Sequence, residues 1–281
     1  MKRLFLLDAY ELIYRAYYAF MRMPRINSKG MNTSAIFGFV NTLDDVLTRE
    51  KPSHLAVVFD PSGPTFRHEA YEEYKANREA TPEDIRKAVP IIKQIVKAYR
   101  IPVIEVPGYE ADDVIGTLAK KAGEMGNIDT YMITPDKDYG QLITQNIFQY
   151  KPGKGGNEVE IIGKEQVCEN YGICNPQQVI DILTIWGDSS DNVPGIRGIG
   201  EVGAKKLIGK YGSLENIIAH ADELPAKQQE AVKSSLEQIQ MSRFLVTIKR
   251  DIQLPLGVEE ITLKGTDSAS VDRIFNRYEL N

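Results

Sequence analysis

A chain of 281 residues with 42% apolar content can bury one large core or two modest ones. No run of about 18 uncharged apolar residues occurs, so no membrane-spanning helix is expected, and the apolar run Leu4–Leu7 is too short for a secretory leader, which needs about 7–15 residues. The net charge of −5 argues at first sight against a polyanionic partner such as nucleic acid, and two cysteines and three histidines without ligand spacing suggest free thiols in a reducing cytoplasm rather than zinc.

In chain order, Lys2–Asp8 reads as a buried strand ending in a carboxylate. Helical spacing follows over Glu11–Arg22, then over a helix capped at Thr33-Ser34 and running to about Arg49. Leu55–Asp60 (LAVVFD) is a second short apolar run ending in Asp. Pro82–Arg100 is predicted helical, Val103–Val106 a strand, Glu110–Met125 a helix and Thr130–Thr134 a strand leading into Pro-Asp-Lys-Asp. This alternation implies a mostly parallel α/β sheet flanked by helices. Beyond about residue 163 helices predominate: Lys164–Tyr171, Pro176–Trp186, Gly203–Tyr211, Ser213–Ala221 and Lys227–Ile248. The division expected is an α/β core over 1–162 and a helical subdomain over 163–281. The last residues, Arg277–Asn281, carry no stop signal, which leaves open that the chain is one domain of a longer protein.

Ligand sites of open parallel sheets lie at the carboxyl ends of the strands. Asp8, Asp60 and Asp136 sit at or just past such ends and would face one crevice. Glu110 and Asp113, three apart at a helix start, share a face; Asp112 projects differently. Asp138, Asp188 and Asp191 complete a set of nine acids. A single Asp after a strand is more often a cap than a ligand, and first-turn acids stabilise a helix dipole. The set is harder to dismiss. Hard cations such as Mg²⁺ or Mn²⁺ prefer oxygen ligands, and a pair about 3.5–4 Å apart can activate water and stabilise a leaving oxygen in phosphoryl displacement. No P-loop or Ser-His-Asp pattern competes.

Gly198-Ile199-Gly200-Glu201-Val202-Gly203-Ala204-Lys205-Lys206-Leu207 has the pattern GIGxxxAxxL, which resembles a helix–hairpin–helix segment. Amides at Gly198, Gly200 and the following helix start, near Gly203, can hold a phosphate, with Lys205 and Lys206 adding charge. The plain alternative is a glycine-rich loop before a helix. The segment Arg67–Arg78 mixes cations with Tyr71 and Tyr74 and lacks an apolar face, so it reads as a poor core candidate, suited either to a single strand of nucleic acid or to a solvated helix. Tyr10, Tyr14, Tyr17 and Tyr18 recur at helical spacing and read as packing. These residues alone leave three rivals open: a PIN-like ribonuclease, a non-catalytic module for branched DNA, and a phosphatase of small substrates.

Four segments, FDPSGPTFRHEAYEEYKANR, GYEADDVIGTLA, TPDKDYGQL and GDSSDNVPGIRGIGEVGAKKL, together resemble the 5′ nuclease domains at the N-terminus of bacterial DNA polymerase I, within the flap endonuclease superfamily. The resemblance runs over nearly the whole chain. It implies a PIN-like fold with a helical arch at about 61–85 and a helical subdomain carrying the hairpin. It implies that Asp8, Asp60, Glu110 and Asp112 hold a first metal, and that Asp113, Asp136, Asp138, Asp188 and Asp191 hold or surround a second, both Mg²⁺ or Mn²⁺. Lys75 and Arg78 would contact the scissile phosphate, and Tyr74 the terminal bases. Arg67 joins the DNA-binding candidates. A K⁺ would bind main-chain carbonyls at Gly195, Ile196 and Ile199. The expected substrate is nicked or branched duplex DNA with a 5′ single strand, cut by a cytoplasmic monomer in replication and repair. Whether a polymerase domain follows stays open, since the family includes standalone nucleases. Ala9 and Pro135 stand where the family commonly has glycine; neither removes a ligand, but Pro135 lacks an amide donor.

Overall fold

The computed structural model describes residues 1–153 and 158–281. Six strands form one sheet: β1 (Lys2–Asp8), β2 (His54–Phe59), β3 (Val103–Glu105), β4 (Ile128–Ile133), β5 (Ile147–Lys151) and β6 (Glu160–Ile162), in the order β3-β2-β1-β4-β5-β6. All neighbours pair in parallel except β5 and β6. The central strands are mainly apolar and largely buried because helices cover both faces, as a parallel sheet requires. Alternate side chains of β1 feed two separate cores. Leu4 and Leu6 join one, Phe5 and Leu7 the other.

On the Phe5 face lie α1 (Ala9–Ala19), α2 (Ser34–Glu50) and α4 (Glu83–Ala98); the short α3 (Phe66–Ala70) precedes α4. On the Leu4 face lies α5 (Ala111–Met125), followed by the helical part: α6 (Lys164–Tyr171), α7 (Val179–Trp186), α8 (Glu201–Tyr211), α9 (Leu214–Ala219), α10 (Ala226–Ser234) and α11 (Leu236–Val246). The predicted helix Lys227–Ile248 is in fact two. It breaks at Ser235, whose hydroxyl donates to the carbonyl of Ala231 at 2.5 Å and diverts the backbone.

The last stretch leaves the helical part. Thr262 bridges to His54 beside β2, and α12 (Ser268–Tyr278) crosses to the Phe5 face, where Val271 and Leu280 pack with α4. The segment expected as a helical arch, 61–85, holds α3, hydrogen-bonded turns over Tyr71–Arg78, a run without regular structure to Pro82 and the first residues of α4. Among the described residues no helix is long and apolar enough to cross a membrane.

Candidate metal centre

The order 3-2-1-4 puts the carboxyl ends of β2, β1 and β4 side by side, and β1 and β4 flank the point where the winding reverses. Asp8 ends β1, Asp60 follows β2 and Asp136 follows β4. They line one cavity of about 650 Å³ together with Glu110, Asp112 and Asp191. Glu110, Asp112 and Asp113 can each bring one oxygen within 4.8 Å of the others, and so can Asp138, Asp188 and Asp191. The two triplets come from different parts of the fold: the start of α5, and the Asp138 turn facing the loop after α7.

These acids are only partly compensated: Lys137 Nζ stands 3.6 Å from Asp138 and 3.7 Å from Asp188, beyond hydrogen-bond distance. Asp8 accepts the Tyr139 hydroxyl at 2.7 Å on Oδ2, but its Oδ1 is buried without a donor, as are Oδ1 of Asp112 and Oδ1 of Asp138. Burial first, then neighbouring carboxylates, push Asp8, Asp112 and Asp138 well above the usual carboxylate range. Asp60 and Asp136 are raised too, chiefly by burial, although each accepts a backbone amide, from Ala111 and Asp138 respectively. Glu110 differs. Burial raises it, but Lys75 and Arg67 outweigh that and hold it at about 2. Buried oxygens without donors, all from hard carboxylate ligands, fit divalent cations such as Mg²⁺ or Mn²⁺.

One member of the predicted set already has several protein partners. Asp113 is fully buried, and both its oxygens are taken: Oδ1 accepts from Arg67 and the Lys249 amide, Oδ2 from Arg67 and the Glu110 amide. The same spacing also forms a capping box at the start of α5. Asp113 also groups with Glu110 and Asp112 rather than with the second triplet. Its partner Arg67, expected at the DNA surface, is 1% exposed. The guanidinium binds Glu110 at 2.5 Å, Asp113 at 2.7 and 2.8 Å, and the carbonyls of Leu245 and Thr247. Tyr74 is buried as well, its hydroxyl 3.0 Å from both oxygens of Glu110. The segment that looked unfit for a core is thus anchored in one by charge pairing.

Lys75 and Arg78 do reach the acids. The Lys75 ammonium pairs with Glu110 and the Arg78 guanidinium with Asp191. Burial lowers Lys75, but Glu110 and Asp191 more than reverse this, so it stays charged. Two features escaped the sequence reading. Glu11, one turn into α1, lines the cavity, and burial followed by Asp136 raises its carboxyl to about 7. Tyr10, Tyr14 and Tyr18 line the same cavity, and Tyr18 is 56% exposed. Their i, i+4, i+8 spacing marked a helix face; Tyr10 and Tyr14 pack against the core as expected and also border the cavity.

The hairpin lies on the connection from α7 to α8 that also carries Asp188 and Asp191. A two-residue ladder between Asp188 and Val193 closes the acid-bearing turn. Gly195 then passes so close to α7 that a Cβ would sit 2.4 Å from the Trp186 carbonyl. Gly198 has φ +82°, and exposed Gly200 caps α8 in extended conformation. Gly203 lies in the first turn of α8, Lys206 is exposed, and Lys205 pairs with Glu201 at 2.9 Å. The carbonyls of Gly195 and Ile196 already accept from Gln238 and the Ile199 amide.

Residues 3–172 match the model of the 5′-3′ exonuclease N-terminal resolvase-like domain, and residues 174–269 that of the 5′-3′ exonuclease C-terminal SAM fold. The chain belongs to the 5′-3′ exonuclease family. A 5′-3′ exonuclease of Aquifex aeolicus is 37% identical over 95% of this chain and 89% of its own length. DNA polymerase I of Bacillus caldotenax and of Bacillus subtilis are each 38% identical, over 98% and 100% of this chain; it spans 31% and 32% of their lengths. Among solved structures, T5 5′-exonuclease with bound divalent metal ions (zinc) superposes with a TM-score of 0.72 at 22% identity, covering 87% of this chain and 89% of that one. The catalytic core of Rad2 in complex with DNA substrate gives 0.62 at 17%, covering 99% and 87%. Both share the exonuclease-family fold seen here, a mostly parallel sheet with a helical carboxy-terminal part.

Proposed function

We propose that this exonuclease-family chain is a structure-specific 5′ nuclease that hydrolyses phosphodiesters at 5′ flaps and nicks of duplex DNA, releasing a 5′-phosphate and a 3′-hydroxyl. The observation that carries the reading is the pair of carboxylate groups with donor-less buried oxygens, roofed by Lys75 and Arg78. Divalent ions held there would supply Lewis acidity and a lowered water pKa.

In this reading Asp8, Asp60, Glu110 and Asp112 hold one ion, and Asp136, Asp138, Asp188 and Asp191 hold or surround the other, with Mg²⁺ the expected metal. Asp113 and Arg67 position Glu110. Lys75 and Arg78 exchange Glu110 and Asp191 for the non-bridging oxygens of a phosphate, stabilising charge as it grows. Tyr10, Tyr14 and Tyr18 offer rings against which unpaired bases can stack. The amides at Gly198, Gly200 and the start of α8, with Lys205 and Lys206, grip duplex backbone without reading sequence. A K⁺ at the carbonyls of Gly195, Ile196 and Ile199 fits only in part, since two of them already accept hydrogen bonds. We further propose that the protein works as a cytoplasmic monomer in replication and repair. The polymerase I relatives motivate a following polymerase domain; the Aquifex relative motivates a standalone nuclease.

The test is cleavage of a 5′-labelled flap duplex with Mg²⁺, with EDTA, and with Asp60→Ala. Cleavage near the junction should need both the metal and Asp60. A folded, Mg²⁺-supplemented protein that binds the flap and leaves it intact would mark a binding module instead, and preference for a matched RNA flap would mark a ribonuclease.

A further inference from the structure

The turn that carries Asp188 and Asp191 also touches the arch through groups that no cation would need. The Lys75 amide donates to the Asp191 carbonyl at 2.8 Å, the Asn77 side-chain amide to the Ser189 carbonyl at 2.8 Å, and Arg78 Nε to the Ser190 carbonyl at 3.2 Å. In return, the Asn192 side-chain amide donates to the Glu73 carbonyl at 2.7 Å. Lys75 and Asn192 both take the left-handed conformation, each with φ 56°, which non-glycine residues adopt only when surrounding contacts impose it. Two unusual backbone positions therefore meet face to face, each held by a hydrogen bond from the opposite segment or its neighbour.

We propose that the turn Asp188–Asn192 is the seat of the arch, and that the side-chain amides of Asn77 and Asn192 are positioning groups that hold Lys75 and Arg78 over the acids. The inference rests on the role given to Lys75 above. Its physical content is a division of labour. The ion pairs of Lys75 with Glu110 and of Arg78 with Asp191 occupy carboxylates that cations would claim, so they are exchangeable. The four seat contacts end on backbone carbonyls and leave every carboxylate free, so they survive the exchange. The arch cations are then kept near the site while changing partner from carboxylate to phosphate. Asn suits position 192 doubly, because it tolerates the left-handed region and carries a donor.

The experiment uses Asn192→Gly, which keeps the backbone conformation and deletes the donor, and Asn192→Asp, which keeps the shape and turns an oxygen toward the Glu73 carbonyl. Single-turnover cleavage of a 5′-flap duplex in Mg²⁺ should fall about three- to tenfold in Asn192→Gly, the range one lost hydrogen bond commands, and at least as far in Asn192→Asp. Flap affinity should stay within about twofold, since Asn192 makes none of the contacts assigned to the duplex. In a Lys75→Ala/Arg78→Ala background, Asn192→Gly should add less than about twofold, because the cations to be positioned are gone. Amide exchange over residues 71–78 should be slow in wild type with EDTA and with Mg²⁺ alike, and faster in Asn192→Gly. A wild-type rate in Asn192→Gly, an equal loss in both backgrounds, or unchanged exchange would each overturn the seat. Lys75→Ala at wild-type rate would instead overturn the role of Lys75, and amide exchange would still decide whether the seat exists.

Discussion

Arg67 joins three elements with one guanidinium: the base of the arch, the start of α5 and the chain leaving α11. Arg67→Met would leave Asp113 charged and fully buried beside Glu110, and removing one partner of a buried pair costs about 3–5 kcal/mol. A denaturant titration should show that loss, and Arg67→Lys should rescue little, since an ammonium cannot fork across two carboxylates and two carbonyls. Asp138→Ala tests the opposite kind of acid. Its Oδ1 accepts no hydrogen bond and meets only Lys137 at 3.6 Å, so the fold loses little, while flap cleavage should drop far more than flap binding. Near-wild-type turnover would remove Asp138 from the cation set. The strand-end acids were legible because Asp8 and Asp60 interrupt apolar runs. The burial of Arg67 was not, because its partner Asp113 lies 46 residues away and no periodicity links them. Glu11 was passed over for a similar reason: one acid in a helical turn looks like any other until the neighbouring strands bring Asp60 and Asp136 to it.

At the level of elements, the connection from α7 to α8 combines an acid-bearing turn with a hairpin pressed against α7. Gly195→Ala would drive a Cβ toward the backbone of Trp186, which cannot yield as a side chain tip could. We expect about 1–3 kcal/mol of destabilisation and weaker duplex binding, read from thermal melts and from titration with a blunt duplex. An unchanged melt would show that the hairpin can stand off α7. Long periodic helices and the apolar strands β1 and β2 were readable from sequence. Strands β5 and β6 were missed because short runs such as Ile147–Lys151 carry too little pattern, and α12 because its partner α4 is remote in the chain. The arch reads as a helix in composition yet holds only α3 and turns, since Tyr74 and Lys75 are drawn to Glu110.

For the whole molecule, the net charge of −5 no longer speaks against a polyanionic partner, because much of the negative charge lies in one pocket that cations would neutralise. That pocket makes stability depend on pH and metal together. Glu11 moves from 4.5 to about 7 on folding, so between these values the folded chain binds more protons than the unfolded one. Stability without metal should therefore fall as pH rises from about 4.5 to 7, by about 1–3 kcal/mol from this group, with Asp8, Asp112 and Asp138 pushing the same way. The depressed Glu110 acts oppositely, its contribution vanishing only as pH drops from 4.5 toward 2. Melts in EDTA across pH 5–8 should slope downward, and Mg²⁺ should flatten them. Parallel curves with and without Mg²⁺ would mean the pocket does not hold the ion.

The sheet order has a consequence for synthesis. β1 sits in the middle, with Leu4 paired to His54 on one side and Lys2 to Ile128 on the other. At about 5–20 residues per second, a ribosome delivers β4 roughly 4–15 s after β2. For that interval the nascent chain carries a strand that is apolar on both faces and has one open edge, a template for mispairing. The strand whose final Asp anchors the acid cluster is therefore also the one most in need of shelter while translation continues.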